Sequence, residues 1–170
     1  MNLKRNLYLI LSLLTVAGII YAYLGGFDTP SITIVENTTL QAEGITYTGE
    51  QKDEAIAELF KTFQKSVAAG KADALCTIYY LEPNDDSDST QLFIGQLAPL
   101  APADTLEQKT FQAAEWIVVE LTSHPIVRPH PGKIDELIQE KAQSLQKSVI
   151  KPYLELYFPD ETLKVYARLK

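Results

Sequence analysis

A carboxylate between two phenol rings, Tyr153-Leu154-Glu155-Leu156-Tyr157, is the part of this sequence best suited to chemistry. Side chains alternate along a β-strand, so Tyr153, Glu155 and Tyr157 would share one face. Such a face can bind a cationic ligand, because the carboxylate offsets the ligand's charge and the rings add cation–π attraction. A solvated strand face is the alternative, but it has no need of large rings. The other face, with Leu154, Leu156 and Phe158, is expected to pack on helices.

Further aromatic residues could complete this site. Tyr79 and Tyr80 are consecutive on the matching strand of the first half, so one of them must face the same side. Tyr166 lies on the last predicted strand, and Trp116, the only tryptophan, suits a core equally well. The predicted ligand-binding residues are Glu155, Tyr157, Tyr153, Tyr79, Tyr80, Trp116 and Tyr166. If the protein is an enzyme, Glu155 would be the general base and Tyr157 the proton donor.

The elements that must position these residues follow a pattern that occurs twice: a strand, an amphipathic helix and two strands. The first helix is predicted to start at the capping-box spacing of 48–51 and to end at Gly70. The second is predicted to open at Pro131-Gly132 and to end at Pro152. Duplicated β-α-β-β units indicate an α+β domain, with an antiparallel sheet, two helices on one face and a cleft between the halves.

This domain is predicted to span residues 42–170, with halves at about 42–98 and 110–170 and a spacer or edge strand at 28–41. An acidic loop at 82–89 and a proline-containing linker at 97–104 would connect strands. Cys76, the only cysteine, is expected to be a packed thiol. His124 and His130 do not have metal-ligand spacing, so we expect neither a metal nor a cofactor.

The first residues predict a membrane anchor. Lys4 and Arg5 precede an uncharged run of 22 residues, 6–27, which is long enough to span a bilayer. Basic residues stay on the cytoplasmic side, so the domain would lie outside the cytoplasm. A cleaved signal peptide is the alternative. The formal net charge of −7 argues against nucleic acid as a partner and leaves a small molecule and the membrane.

Three short motifs in order resemble the GyrI-like small-molecule-binding domain, the effector-binding domain of AraC- and MerR-type bacterial regulators. They lie at 78–83 (Ile-Tyr-Tyr-Leu-Glu-Pro), 130–132 (His-Pro-Gly) and 154–157 (Leu-Glu-Leu-Tyr). The resemblance implies that Glu155 contacts cationic or aromatic ligands in the cleft. It also leaves open a hydrolase of reactive electrophiles that uses Glu155 with a tyrosine. A structural adaptor with an unused cleft is the remaining alternative.

We predict that the full-length protein fractionates with cell membranes and that a chain beginning at Asp28 is soluble, because residues 6–27 carry the apolar run. Ultracentrifugation of lysates followed by immunoblotting measures this. A mature chain that begins near Gly25 and is recovered in a soluble extracytoplasmic fraction would show cleavage instead.

Overall fold

The antiparallel sheet of this protein closes on itself. The computed structural model describes residues 3–81, 89–97 and 106–170, and in these ranges six strands form a closed barrel in the order β1-β3-β2-β5-β6-β4. A short 3-10 turn, Pro125–Val127, precedes the last helix. The elements are α1 (Leu3–Tyr23), β1 (Ser31–Glu50), α2 (Glu54–Ala68), β2 (Ala74–Leu81), β3 (Ser89–Leu97), β4 (Glu107–Leu121), α3 (Pro131–Ser144), β5 (Val149–Tyr157) and β6 (Leu163–Leu169).

The predicted α+β fold with duplicated units is confirmed. The first unit is β1-α2-β2-β3 and the second is β4-α3-β5-β6. The units meet at two seams: β1 pairs with β4 from Ser31 opposite Glu120 to Gly44 opposite Glu107, and β2 pairs with β5 around Cys76 and Leu156. Because both seams are formed, the sheet has no free edge between the units.

Helices α2 and α3 both pack on the outer face of the barrel. Ile134, Ile138 and Ala142 of α3 join one buried cluster, and Phe63 and Val67 of α2 join another. Tyr157 contacts both clusters. The expected arrangement of two helices on one face is therefore present, and Tyr157 lies where the two helical layers meet.

The assignment of the β5 faces to the helices was wrong. Leu154 and Leu156 alternate with Glu155 as predicted, but they belong to a cluster with Cys76, Ile78 and Phe93 that draws on strands and on no helix. This cluster fills the inside of the barrel, a compartment created by strand pairing between the halves. Burial there raises the pKa of the Cys76 thiol to about 12, as expected for a packed cysteine.

The first helix starts later than the capping-box spacing predicts. Strand β1 continues to Glu50, with Thr48 opposite Gln91 and Gly49 opposite Thr90, so the ladder already uses this backbone. Asp53 is the N-cap instead, and its side chain accepts a hydrogen bond from the Ala55 N–H. Residues 31–41, predicted as a spacer or edge strand, form the first part of β1 and pair with β4.

The second helix ends before Pro152. It stops at Ser144, and Gln146 adopts a φ of 57°, which turns the chain into β5. Pro152 therefore lies inside β5 rather than at the end of the helix. The predicted acidic loop and linker fall almost entirely on residues 82–88 and 98–105, which lie outside the described residues.

Helix α1 is long and apolar enough to cross a membrane between Asn6 and Tyr23, and no residue of this stretch is buried against the domain. A signal sequence meets the same criterion. The helix thus agrees with the predicted anchor in length and composition.

Gly44 and Gly95 face each other across β1 and β3. A Cβ atom added at Gly95 would lie 2.3 Å from the Glu43 carbonyl oxygen, so the two backbones meet where no larger residue fits. We predict that Gly95→Ala lowers the free energy of unfolding by about 1–3 kcal/mol through overpacking. Urea unfolding measures the loss.

The matched control is Gly132→Ala, where an added Cβ would come no nearer than 3.1 Å to the ring of His130, an exposed side chain. Its stability should stay within about 0.5 kcal/mol of the wild type. Equal losses for the two variants would contradict the close approach at Gly95.

Candidate functional site

Two cavities lie on the helix-bearing face of the sheet, and each combines residues of both halves. The Glu155 cavity has a volume of about 150 Å³ and the Tyr157 cavity about 530 Å³. The first is lined by Tyr79, Pro131, Gly132, Ile134, Asp135, Lys151, Pro152, Tyr153, Glu155 and Val165. The second is lined by Phe60, Gln64, Val67, Ala68, Leu75, Pro125, Arg128, Tyr157, Phe158, Pro159, Glu161 and Thr162.

A hydrogen-bonded pair joins the two cavities. The Tyr157 hydroxyl donates to Glu155 Oε2 at 2.6 Å, and the Thr77 hydroxyl donates to the same oxygen at 3.3 Å. Thr77 is fully buried and is the β-ladder partner of Glu155, so the carboxylate lies at the seam between β2 and β5. Glu155 itself is only partly buried and remains open to its cavity.

Tyr157 is fixed in its protonated form. Burial raises its pKa strongly, and the negative charge of Glu155 raises it further. The phenol is therefore a hydrogen-bond donor throughout the physiological pH range. Its proton is directed at Glu155 Oε2, which orients the carboxylate.

A second carboxylate that sequence reasoning missed, Asp135, lies on the other side of the Glu155 cavity. It accepts a hydrogen bond from the Tyr153 hydroxyl and faces Lys151 Nζ at 3.4 Å. Gln139 donates to the same Tyr153 oxygen at 3.2 Å. Burial alone would raise the Asp135 pKa, but the Tyr153 hydrogen bond and the Lys151 charge outweigh it and lower the pKa. In sequence, nothing distinguishes Asp135 from the other acidic residues of α3, such as Glu136 and Glu140.

The structure divides the predicted site residues between two faces. Tyr79, Tyr153, Glu155 and Tyr157 lie on the helix-bearing face and line the two cavities. The opposite face carries Tyr80, Trp116 and Tyr166. Strand alternation gives Tyr79 and Tyr80 different sides, and β4 and β6 direct Trp116 and Tyr166 inward. There the Trp116 ring nitrogen donates to the Thr38 carbonyl at 3.0 Å, Tyr166 packs edge-on against Trp116, and the Tyr80 hydroxyl accepts from Lys109 at 2.8 Å.

The two histidines act as caps. His124 Nδ1 accepts from the Ile126 N–H at the 3-10 turn, and His130 Nδ1 accepts from the Lys133 N–H at the start of α3. Among residues 3–81, 89–97 and 106–170, no group of three or more His, Cys, Asp or Glu side chains could hold a metal ion.

The lowered pKa of Asp135 predicts a pH dependence. A carboxyl whose pKa is lower in the folded state adds stability above its ordinary value of 3.8, and the gain is lost as the pH falls through the folded-state pKa. We expect Asp135→Asn to cost no more than about 1 kcal/mol at pH 7, because the group is part-exposed. Urea unfolding at pH 7 and pH 3 should show the difference from wild type shrinking in acid, and a difference that stays constant would contradict this origin.

No protein-family model matches the sequence, and no curated protein matches it. Solved structures do. SAV2435, determined with tetraphenylphosphonium bound, is 18% identical with a TM-score of 0.51, over 82% of this chain and 94% of that one. The EcmrR C-terminal domain is 8% identical with a TM-score of 0.54, over 83% and 98%. A hydrolase from Listeria innocua is 8% identical with a TM-score of 0.54, over 88% and 98%. These likenesses span nearly all of each neighbour and agree with the duplicated β-α-β-β units, so the domain has the GyrI-like fold.

Proposed function

We propose that this protein is a small-molecule-binding module tethered to a membrane by α1, with its domain outside the cytoplasm, and that it binds a cationic aromatic ligand in the cleft between α2 and α3. The main support for this proposal is the set of contacts that Glu155 makes. Its carboxylate receives hydrogen bonds from two neutral hydroxyls, and within the described residues no Lys, Arg or His forms a salt bridge with it.

A part-buried carboxylate that forms no salt bridge within the described residues favours a cationic ligand. Removing a charge from water has a cost, which a ligand of opposite charge offsets when it enters the same cavity. Tyr79 and Tyr153 line the Glu155 cavity beside the carboxylate. Both rings would add apolar contact, and the Tyr79 ring would add cation–π attraction, whereas the Tyr153 ring already has Lys151 Nζ 5.3 Å from its centroid. The ligand bound to SAV2435 is itself a cation with aromatic groups.

The size of the cavities supports a ligand with a bulky apolar part. The Glu155 cavity alone, at about 150 Å³, would accommodate only a small group, whereas the adjoining Tyr157 cavity has about 530 Å³. Phe60, Val67 and Leu75 give the larger cavity apolar walls. Volumes of this order suit an organic ligand, and they argue against an adaptor whose cleft is filled by its own side chains.

A hydrolase is the second candidate, since Glu155 and Tyr157 form a close pair and one neighbour is described as a hydrolase. A general base needs a carboxylate within reach of the proton that it takes, and Glu155 is open to its cavity. The Tyr157 proton, however, is directed at Glu155 and not at a substrate, which favours binding over catalysis. Hydrolysis of an epoxide that is abolished by both Glu155→Gln and Tyr157→Phe would favour the enzyme.

The direct test is Glu155→Gln, which keeps the shape of the side chain and removes its charge. Isothermal titration of residues 28–170 with tetraphenylphosphonium should show a tenfold to hundredfold loss of affinity, equivalent to about 1–3 kcal/mol. Thermal unfolding should change little, because both hydroxyls still have an acceptor.

The matched control is Glu120→Gln. Glu120 pairs with Lys164 at 3.0 Å at a part-exposed position on the opposite face of the sheet, so the variant should bind like the wild type. Equal affinities for the two variants would remove Glu155 from the proposed site.

A further inference from the structure

The end of the apolar helix is fastened to one particular loop of the domain. The His124 N–H donates to the Leu24 carbonyl at 3.0 Å. A Cβ atom at Gly25 would lie 3.2 Å from Ser123 Cα, so the two backbones are in close contact. The residues that follow Tyr23, the last residue of α1, therefore lie directly beside the 3-10 turn Pro125–Val127.

This turn presents an apolar side chain to the outside. Ile126 is 80% exposed, more than any other large apolar side chain in the described residues outside α1. Phe27, at 74%, and Tyr23, at 89%, are exposed at the same junction. An exposed apolar group fixed beside a membrane-spanning segment is positioned to enter lipid.

The turn is held rigidly in this position. His124 Nδ1 accepts from the Ile126 N–H. The Arg128 guanidinium donates to the Ser123 carbonyl at 3.0 Å and to the Glu161 carbonyl at 2.6 Å, which ties the turn to the β5–β6 connection. Exposure of Ile126 is thus built into the fold and does not depend on a loose loop.

The Tyr157 cavity lies at the same end of the domain. Pro125 and Arg128 from the turn and Glu161 from the β5–β6 connection form part of its lining. Glu161 also borders a recess that contains Leu24 and His124. Glu161 therefore lines both the Tyr157 cavity and the recess at the end of the apolar helix.

We propose that the turn Pro125–Val127 enters the interface of the bilayer beside α1, so that the Tyr157 cavity opens at the membrane surface and receives its ligand from the lipid phase. The exposed surface of the turn would contact the apolar part of the bilayer. The junction is acidic, since it contains Asp28, Asp160 and Glu161, so anionic lipid headgroups would repel it rather than attract it. The ligand route rests on the ligand binding in the proposed function, whereas the membrane contact rests only on the proposed tether, α1.

The membrane contact is tested on the full-length protein in phosphatidylcholine nanodiscs. Ile126→Cys is labelled with an environment-sensitive nitrobenzoxadiazole dye, and Cys76 does not interfere because it is 0% exposed. Lipids with a nitroxide on the acyl chain should quench this label severalfold more than a label at Leu81→Cys. Leu81 is a suitable control because it is 48% exposed and far from the turn. It lies six residues beyond Leu75, which lines the Tyr157 cavity together with Pro125, and six residues of a strand span roughly 20 Å.

Equal quenching at the two positions would overturn the proposal, whatever the ligand affinity. The route is tested by association of tetraphenylphosphonium with the same nanodiscs. Ile126→Glu should slow association severalfold, and Leu81→Glu should leave it unchanged. Strong quenching at position 126 in a protein that binds no tetraphenylphosphonium would uphold the membrane contact and reject the proposed ligand binding. Unchanged association in Ile126→Glu would reject entry from the lipid.

Discussion

Closure of the sheet into a barrel is the constraint on which the other features depend. The pairing of β1 with β4 and of β2 with β5 gives the strands neighbours on both sides and makes one sheet face an enclosed interior. Leu154, Leu156 and Cys76 fill that interior, so the helices can cover only the outer face. Residues on the outer face therefore end up between α2 and α3, where polar and aromatic side chains can line a cleft.

Glu155 shows how this geometry produces the proposed binding site. Its neighbours along β5, Leu154 and Leu156, are committed to the barrel, and the strand then places the carboxylate at the seam between the halves. Thr77 from the first half and Tyr157 from the second supply neutral hydrogen bonds and no positive charge. Such a carboxylate is held in position by hydrogen bonds and not by a salt bridge, which suits reversible binding of a cation.

Much of the fold and of the candidate site could be predicted from sequence, but which face of the sheet the helices cover could not. Alternation correctly grouped Tyr153, Glu155 and Tyr157, because it is a local property of a strand. Which side the helices cover depends on pairing between residues as distant as Ser31 and Glu120. The same long-range closure sends Trp116 and Tyr166 inward, and only the packing of α3 on β5 brings Asp135 to Tyr153.

The central claim is that a cationic aromatic ligand lies on the helix-bearing face beside Glu155. Fluorine NMR of the protein labelled with 3-fluorotyrosine tests this most directly, with each signal assigned by a single Tyr→Phe substitution. On addition of tetraphenylphosphonium, the signals of Tyr79, Tyr153 and Tyr157 should shift, while those of Tyr80 and Tyr166, on the opposite face, should stay unchanged. Shifts confined to Tyr80 and Tyr166 would place the ligand on the wrong side of the sheet and contradict the account.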